Sequence, residues 1–540
     1  MQCTKLYNAM EHRKYPVDTQ TFDTIINGNY VYLDKTDLIY KMVNEFRYVF
    51  LSRPRRFGKS LLCSTLKEYF SGNKELFKGL KIDGMEKEWT KYPVIHLDFS
   101  SCKTTDLRAI KKYLSKVLAD YEHEYSLITD EEYETEWKGK NEIEDISNIR
   151  LGKIVESAYK KFGQKVVVII DEYDALMLNT IHDDDLQDKI REQQNNLFSP
   201  LKELDPYLRF VFITGITKFS QMSIFSTLNN LHDISLLPDY ERLCGISMDE
   251  FVSQLKNGLK DFADYNGYTF DETVQRFKNK YDGYHFSFLK QDVFNPFSVI
   301  KALNDKMLNN YWFGSATPSA LLKLIRKFDF SMENFEMIEC DSDRFNQPVE
   351  KVTDLIPFLF QSGYLTIKDY NREYDLYTLG FPNEEVRSST AKTLFNYNYQ
   401  NTDTVPLKKS YIDFSKNDDL DKFIEALKKF FRRFPFSLNN MNEKHYHSIL
   451  YTVLTSFGAD ISANQETALG KSDLILKMPK TIYVIELKYD RSVESALAQI
   501  DDRDYTAAVL DDKKRIVKLA IKFSEKDRNI VDYKTVEVKN

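Results

Sequence analysis

Residues 48–70 read YVFLSRPRRFGKSLLCSTLKEYF, and the fold turns on how that stretch divides. Tyr48–Ser52 is an apolar run of strand formers. Arg53, Pro54, Arg55, Arg56 and Phe57 make a short basic loop that closes in Gly58-Lys59-Ser60, and from Leu61 onward the apolar residues recur with helical spacing. Strand, loop and helix in that order aim backbone N–H groups and the positive end of a helix dipole at one point, an arrangement suited to phosphate oxygens. A lysine at the loop's end reaches the β/γ-phosphates and the next hydroxyl ligates Mg²⁺. Lys59 and Ser60 fill those positions, and the span from Arg53 to Leu61 is the candidate nucleotide cradle. The pattern G-x-x-x-x-G-K-[ST] is incomplete, because Arg53 stands where its first glycine belongs. A basic strand-to-helix turn without a ligand is the plainer reading of the bare pattern.

Outward from the loop, strands and helices alternate. Pro93–Phe99, Lys165–Asp171 and Leu208–Gly215 are near-continuous β-branched runs, with a helix expected from about Asp106. Such runs separated by helices predict parallel strands buried on both faces, a doubly wound α/β sheet with its ligands at the carboxyl ends of the strands. The second run ends in Asp171-Glu172. There Asp171 can join the shell of a Mg²⁺ ion, and Glu172 can orient and deprotonate an attacking water. An acid that merely caps the next helix is the alternative. Thr214 and Thr217, one strand later, are either γ-phosphate sensors or turn hydroxyls. Upstream, Tyr30–Thr36 can cover the adenine side or serve as ordinary packing.

The run RPRRFGKSLL, with YLDKTDLI before it and IIDEYDAL and FITGITKFS after it, resembles the AAA-ATPase-like proteins, a P-loop group. The resemblance spans about residues 8 to 300 and implies ATP and Mg²⁺ as ligands. In that group an arginine-rich loop is usual, so it implies ATP binding more directly than turnover.

Composition bounds the rest. A 540-residue chain with 42% hydrophobic and 14% aromatic residues has room for two or three packed domains. A net charge of −7 gives no global attraction to nucleic acid, so any such partner must meet a local basic patch. Cys3, Cys63, Cys102, Cys244 and Cys340 are odd in number and unpaired in spacing, which argues for a reducing compartment and against a thiolate zinc site. With no apolar stretch of membrane-spanning length and no signal-peptide pattern at the N-terminus, the expectation is a soluble cytoplasmic protein with no membrane partner.

From Lys256 to Phe297 the pattern is helical, interrupted at Tyr281–Phe286 and Phe294–Val299, and looks like the small helical lid of the AAA-ATPase-like group. A helix over Leu355–Gln361, then strands at Tyr364–Ile367 and Tyr374–Leu379, resembles a winged-helix unit. Residues 401–418 are polar and read as a linker. In Ala426–Phe434 four basic residues interleave with aromatics, either facing a phosphate backbone or forming a solvated helix face.

The C-terminal part reads helix (Glu443 to Phe457), three strands, helix, strand. Asp473 opens the second strand, and Glu486 and Lys488 lie two apart on the third, hence on one face. Two carboxylates and a lysine at a strand edge suit a Mg²⁺ or Mn²⁺ ion activating water beside a phosphodiester. A surface ion pair is the plain alternative. This order of elements is similar to the PD-(D/E)xK nuclease superfamily over about residues 420 to 535. The resemblance implies Asp473, Glu486 and Lys488 as the motif, Glu443 as the acid on the preceding helix, and Gln499 with Tyr505 on the following one. Ser472 stands where the motif's name has proline.

The expected fold class is α/β. It comprises a P-loop NTPase sheet in an AAA-ATPase-like domain (1–255), a helical lid and winged-helix-like middle (256–400), a linker (401–420) and a restriction-endonuclease-like αβββαβ domain (421–540). The expected activity is an ATP-binding, ATP-hydrolysing module coupled to a metal-dependent nuclease acting on nucleic acid, DNA ahead of RNA. The resemblance also leaves room for a homo-oligomer and points to a bacterial group. A nucleotide-driven switch that binds nucleic acid without cutting it is the alternative, and a scaffold without enzymatic activity is a second.

Overall fold

The computed structural model describes residues 13–102, 106–139, 147–180, 183–218, 230–289, 291–314, 319–328, 330–349, 353–399, 402–434, 442–467, 470–510 and 512–538. Cys3, Phe219, Ser220 and residue 401, which entered the sequence reading, lie outside them. The chain divides into two compact units. The first comprises residues 1–324 and 337–383, and the second residues 325–336 and 384–540.

The first unit is built on β1 (Tyr48–Ser52), α1 (Lys59–Phe70), β2 (Val94–Asp98), α2 (Leu107–Glu124), β3 (Val166–Asp171), β4 (Leu208–Gly215) and β5 (His232–Asp233). The strands form one parallel sheet in the order β2-β3-β4-β1-β5. Every residue of β1 and β3 is buried, as helices on both faces require. α1 covers the sheet with Leu62, Leu66, Tyr69 and Phe70, buried at helical spacing. The chain leaves β1 for the far edge at β2, returns through β3 and β4, and crosses to β5 on the other side of β1. That reversal opens the crevice at the carboxyl ends where the loop after β1 sits.

The expected lid is helical, and its last helix, α3 (Pro296–Asp305), is capped by the Asn295 side chain accepting from Ser298 N at 3.0 Å. In the middle region β6 (Ile338–Cys340), α4 (Ile356–Gln361), β7 (Thr366–Asn371) and β8 (Leu376–Gly380) give the expected helix-then-hairpin order. A third strand is added, the sheet order being β6-β8-β7.

The second unit begins earlier than the sequence suggested. α5 (Glu384–Asn398) packs on the nuclease-like helix, and the expected linker holds α6 (Val405–Asn417). Polarity there belongs to the outer face. Leu407 and Phe414, seven residues apart on one helical stripe, are buried, and the Phe414 ring stacks 4.8 Å from Phe423 of α7 (Leu420–Phe431). α7 resolves the interleaved run in the same way. Phe423, Leu427, Phe430 and Phe431 are buried, while Lys429, Arg432 and Arg433 are exposed.

Then follow α8 (Glu443–Ser456), β9 (Asp460–Ala463), β10 (Leu474–Lys477), β11 (Thr481–Tyr489), α9 (Val493–Asp502), β12 (Arg515–Ser524) and β13 (Asn529–Glu537). The sheet runs β9-β10-β11-β12-β13, parallel only between β11 and β12, the pair that α9 joins. β11 is the central strand and is buried over its first eight residues. Among the described residues the four remaining cysteines are free and buried, and no helix is long and apolar enough to cross a membrane.

Candidate functional site

Among the described residues, the side chains singled out in the sequence fall into two groups, one in each unit. In the first, the loop after β1 turns through left-handed backbone at Arg56 (φ 68°) and Gly58 (φ 88°) before α1 begins at Lys59. Glycine takes that conformation at Gly58 without strain and leaves the loop's concave side open. The Lys59 ammonium donates to the carbonyls of Arg53 (3.0 Å) and Pro54 (3.1 Å). Both are neutral acceptors that phosphate oxygens can replace. Arg53 itself is turned inward. Its guanidinium is 1% exposed, donates to the carbonyls of Ser52 (2.9 Å), Ser235 (2.7 Å) and Tyr240 (3.3 Å), and lies 4.3 Å from the Phe286 ring centre. The side chain that replaces the first glycine therefore ties the loop to the segment after β5 and is turned away from the nucleotide position expected for it. Phe57 packs edge-on to Tyr284 and Phe286, Trp312 Nε1 donates to the Arg55 carbonyl at 3.0 Å, and Arg56 lies over Phe297.

A cavity of about 550 Å³ opens on the far side of Gly58, lined among others by Tyr32, Arg56, Leu61, Phe297 and Ile300. Val31, Tyr32, Leu33 and Lys35 of the Tyr30–Thr36 stretch also line it, and Lys35 is held by Glu250.

Asp171 ends β3 beside Asp98 of β2. It accepts from the Ser60 hydroxyl, burial pushes its pKa up to about 6, and its Oδ1 is buried without a hydrogen-bond partner. A buried carboxylate oxygen with no donor, next to a serine on the loop helix, fits a Mg²⁺ ligand pair of Ser60 and Asp171. Glu172 turns off the strand with φ 49°, and burial raises its pKa. Cys63 and His96 lie beside Asp171, their ligand atoms within 4.8 Å of one another, but burial keeps the Cys63 thiol protonated.

Both threonine hydroxyls are engaged by the chain itself, Thr214 from within β4 and Thr217 from the turn after it. Thr214 Oγ1 donates to the Leu51 carbonyl at 2.7 Å, and Thr217 Oγ1 to Asp174 Oδ2 at 2.7 Å. The same Asp174 oxygen accepts from Ile216 N and Thr217 N, and a Cβ at Gly215 would stand 2.5 Å from Asp174 Oδ1. Asp174, which the sequence reading passed over, thus fixes the β4 exit. Its signal was its place in the Asp-Glu-x-Asp run.

In the second unit, Lys488 Nζ donates to Glu486 Oε1 at 2.7 Å, with Glu486 1% and Lys488 5% exposed. Such burial removes the surface-ion-pair reading. Glu486 Oε2 is buried without a partner, and burial followed by the nearby Asp473 charge pushes the Glu486 pKa up. Asp473 is raised as well, chiefly by burial, and its Oδ2 accepts from Leu487 N at 2.8 Å. Glu443, in the first turn of α8, accepts from Tyr489 N at 3.0 Å and stands 3.9 Å from Lys488 Nζ. An orphaned carboxylate oxygen among three acids, with one lysine, fits a hard divalent cation. Gln499, expected in this cluster, donates instead to the Tyr505 hydroxyl at 3.2 Å.

Two further residues frame the site. His447 Nε2 lies 2.8 Å from the Asp473 carbonyl, and His447 Nδ1 lies 3.4 Å from Glu333 Oε1. A histidine on a helix gave no signal in the sequence, and Glu333 comes from a hundred residues upstream.

Comparison with known proteins finds one family match over each of these two regions of the chain. Residues 16–225 match the family model described as a predicted AAA-ATPase, and residues 441–533 match that of the PD-(D/E)XK nuclease superfamily. The chain is similar along its length to an uncharacterized protein in the vnfD 5′ region of Azotobacter chroococcum mcd 1. The two are 28% identical over 540 residues, which cover 97% of this chain and 99% of that protein.

Proposed function

We propose that the protein binds MgATP on the loop from Arg53 to Leu61 and hydrolyses it, and that Asp473, Glu486 and Lys488 form a Mg²⁺- or Mn²⁺-dependent nuclease site acting on nucleic acid, DNA ahead of RNA. The observation that carries the reading is the buried Glu486 Oε2, left without a partner although Lys488 occupies the other oxygen of the same carboxylate. Its counterpart is Asp171 Oδ1 beside Ser60.

At the first site Lys59 exchanges its loop carbonyls for phosphate oxygens, loop N–H groups hold the remaining charge, and Glu172 orients and deprotonates the attacking water. At the second, Asp473 and Glu486 are the metal ligands and Glu443 supports the acidic wall at the start of α8. Lys488 holds the attacking water or the developing charge on the phosphate. A bound ion would lower the pKa of a water and neutralise phosphate charge. The chain passes between its two units three times, at 324/325, 336/337 and 383/384, which supports nucleotide state as a control on the second site.

The test is cleavage of labelled single- and double-stranded DNA and RNA in Mg²⁺ or Mn²⁺, with and without ATP, beside Lys488→Ala and Lys59→Ala. The expected result is cleavage by the wild type, reduced at least ~100-fold in Lys488→Ala, and insensitive to ATP in Lys59→Ala. No cleavage of any substrate while ATP is still hydrolysed would replace this reading with the nucleotide-driven binding switch.

A further inference from the structure

The C-terminal site is framed by residues that do not come from the nuclease-like segment. The stretch 325–336 packs in the second unit although the chain on either side of it belongs to the first. Its core is the single 3-10 turn Met332–Phe335, closed by the Ser331 N–H and hydroxyl donating to Asn334 Oδ1 at 2.8 and 2.7 Å, and anchored by buried Met332 and Phe335. Between those anchors Glu333 brings Oε1 to 3.4 Å from His447 Nδ1, an ion-pair contact short of a hydrogen bond, and Glu336, just past them, reaches Tyr451 and Arg387. His447 and Tyr451 are four apart on α8, hence on one face. The turn is thus strapped along that face by two carboxylates.

The strap bears on the metal site through one ring. His447 and Glu333 are 11% and 10% exposed, so their mutual orientation is set by packing and not by solvent. A carbonyl oxygen can only accept, so the nitrogen facing Asp473, Nε2, must carry a hydrogen. The Asp473 carbonyl is held from a second direction by Asn464 N at 3.2 Å, and the Asp473 carboxylate from a third by Leu487 N. Asp473 stands just before β10 begins at Leu474, outside the regular ladder, so these bonds fix its place where strand pairing does not.

We propose that Glu333 and His447 are positioning residues for the C-terminal metal site. Glu333 orients the His447 ring, and the ring pins the Asp473 backbone so that its carboxylate meets the ion beside Glu486. This rests on the metal-nuclease reading of Asp473 and Glu486. It adds that metal affinity depends on a strap joined at both ends to chain of the other unit. Partners that fix the orientation of metal ligands typically change affinity about 10- to 100-fold when removed.

The experiment measures Mn²⁺ binding to the nucleotide-free, full-length protein by electron paramagnetic resonance, with Glu486→Gln defining the signal of the C-terminal site. Glu333→Leu removes the acceptor at similar volume, whereas Glu333→Gln keeps an oxygen facing Nδ1. The expected result is Mn²⁺ affinity about tenfold weaker in Glu333→Leu and within about twofold of wild type in Glu333→Gln. Half-maximal cleavage should need correspondingly more Mn²⁺ in Glu333→Leu, with kcat recovered at saturation. Unchanged affinity in Glu333→Leu would overturn the proposal, as would equal weakening in both variants, which would make Glu333 a packing residue only. If wild type and Glu486→Gln bind Mn²⁺ alike, the metal reading itself fails and the positioning role with it.

Discussion

Both units place a carboxylate with an orphaned oxygen on a buried strand, Asp171 at the end of β3 and Glu486 within β11, and set a lysine near it, yet the two lysines are engaged differently. Lys59 rests on the neutral carbonyls of Arg53 and Pro54, whereas Lys488 is bonded to the Glu486 carboxylate. A cation on carbonyls keeps more of its charge than one bonded to a carboxylate, which suits Lys59 to the phosphate role proposed for it. A carboxylate already sharing a lysine is partly neutralised, so at the second site an incoming metal competes with the chain's own cation. The same residue types make an anion site or a cation site according to what the lysine touches.

The sharpest way to break this contrast is to remove each lysine and read ligand binding instead of turnover. Lys59→Ala should abolish the rise in melting temperature given by ATP with Mg²⁺, a stabilisation of about 2.7 kcal/mol at one hundred times Kd in the wild type. Lys488→Ala should do the opposite to its ligand, leaving Mn²⁺ affinity equal or higher even as cleavage falls. Calorimetric titration of both variants checks the pair. Loss of Mn²⁺ binding in Lys488→Ala would show that this lysine supports the ion, and the contrast would collapse.

A smaller effect follows from Asp171. Its pKa is raised from 3.8 to about 6 by burial, so in the ligand-free protein the ionised carboxylate is a liability. The raised value means that the folded state binds more protons than the unfolded state between those limits. Stability from this group therefore falls as pH rises from about 4 to 6 and stays low above. Asp171→Asn should raise ligand-free stability at pH 7 by about 2 to 3 kcal/mol at most. Thermal melting at pH 7, and at lower pH, should find that gain shrinking as pH falls toward 4. The same variant should lose the Mg²⁺-dependent part of nucleotide binding. A variant less stable than wild type at pH 7 would mean that the orphaned oxygen is already compensated.

How much of this was legible in the sequence depended on whether a residue's neighbours were local. The β1–α1 loop, Asp171 at its strand end and the Glu486–Lys488 pair follow from periodicity of two and of 3.6, which the sequence displays directly. The inward turn of Arg53 did not, because its acceptors at Ser235 and Tyr240 lie 182 and 187 residues further along the chain. The helix over 405–417 was hidden by polar residues whose apolar stripe has meaning only once Phe423 is folded against it. Glu333 was invisible for the same reason on a larger scale, since nothing local to it announces His447.

Gln499 tests where the second cluster ends, and its expected effect is the smallest. The motif order groups it with Glu486 and Lys488, but its amide donates to Tyr505, whose ring is 3% exposed and also borders Gly470. A neutral bond of that kind contributes about 1 kcal/mol. Gln499→Leu should therefore lower melting slightly and leave Mn²⁺ affinity and kcat within about threefold of wild type, far from the loss expected at Lys488. The check is the same titration and cleavage assay run in parallel. A loss of tenfold or more in kcat, with melting unchanged, would place the Gln499 amide on the substrate in the working complex. The boundary of the cation site would then lie on α9 as well as on β11, and the contrast with the first unit would widen, since there Lys59 and the Arg53 guanidinium donate only to backbone carbonyls.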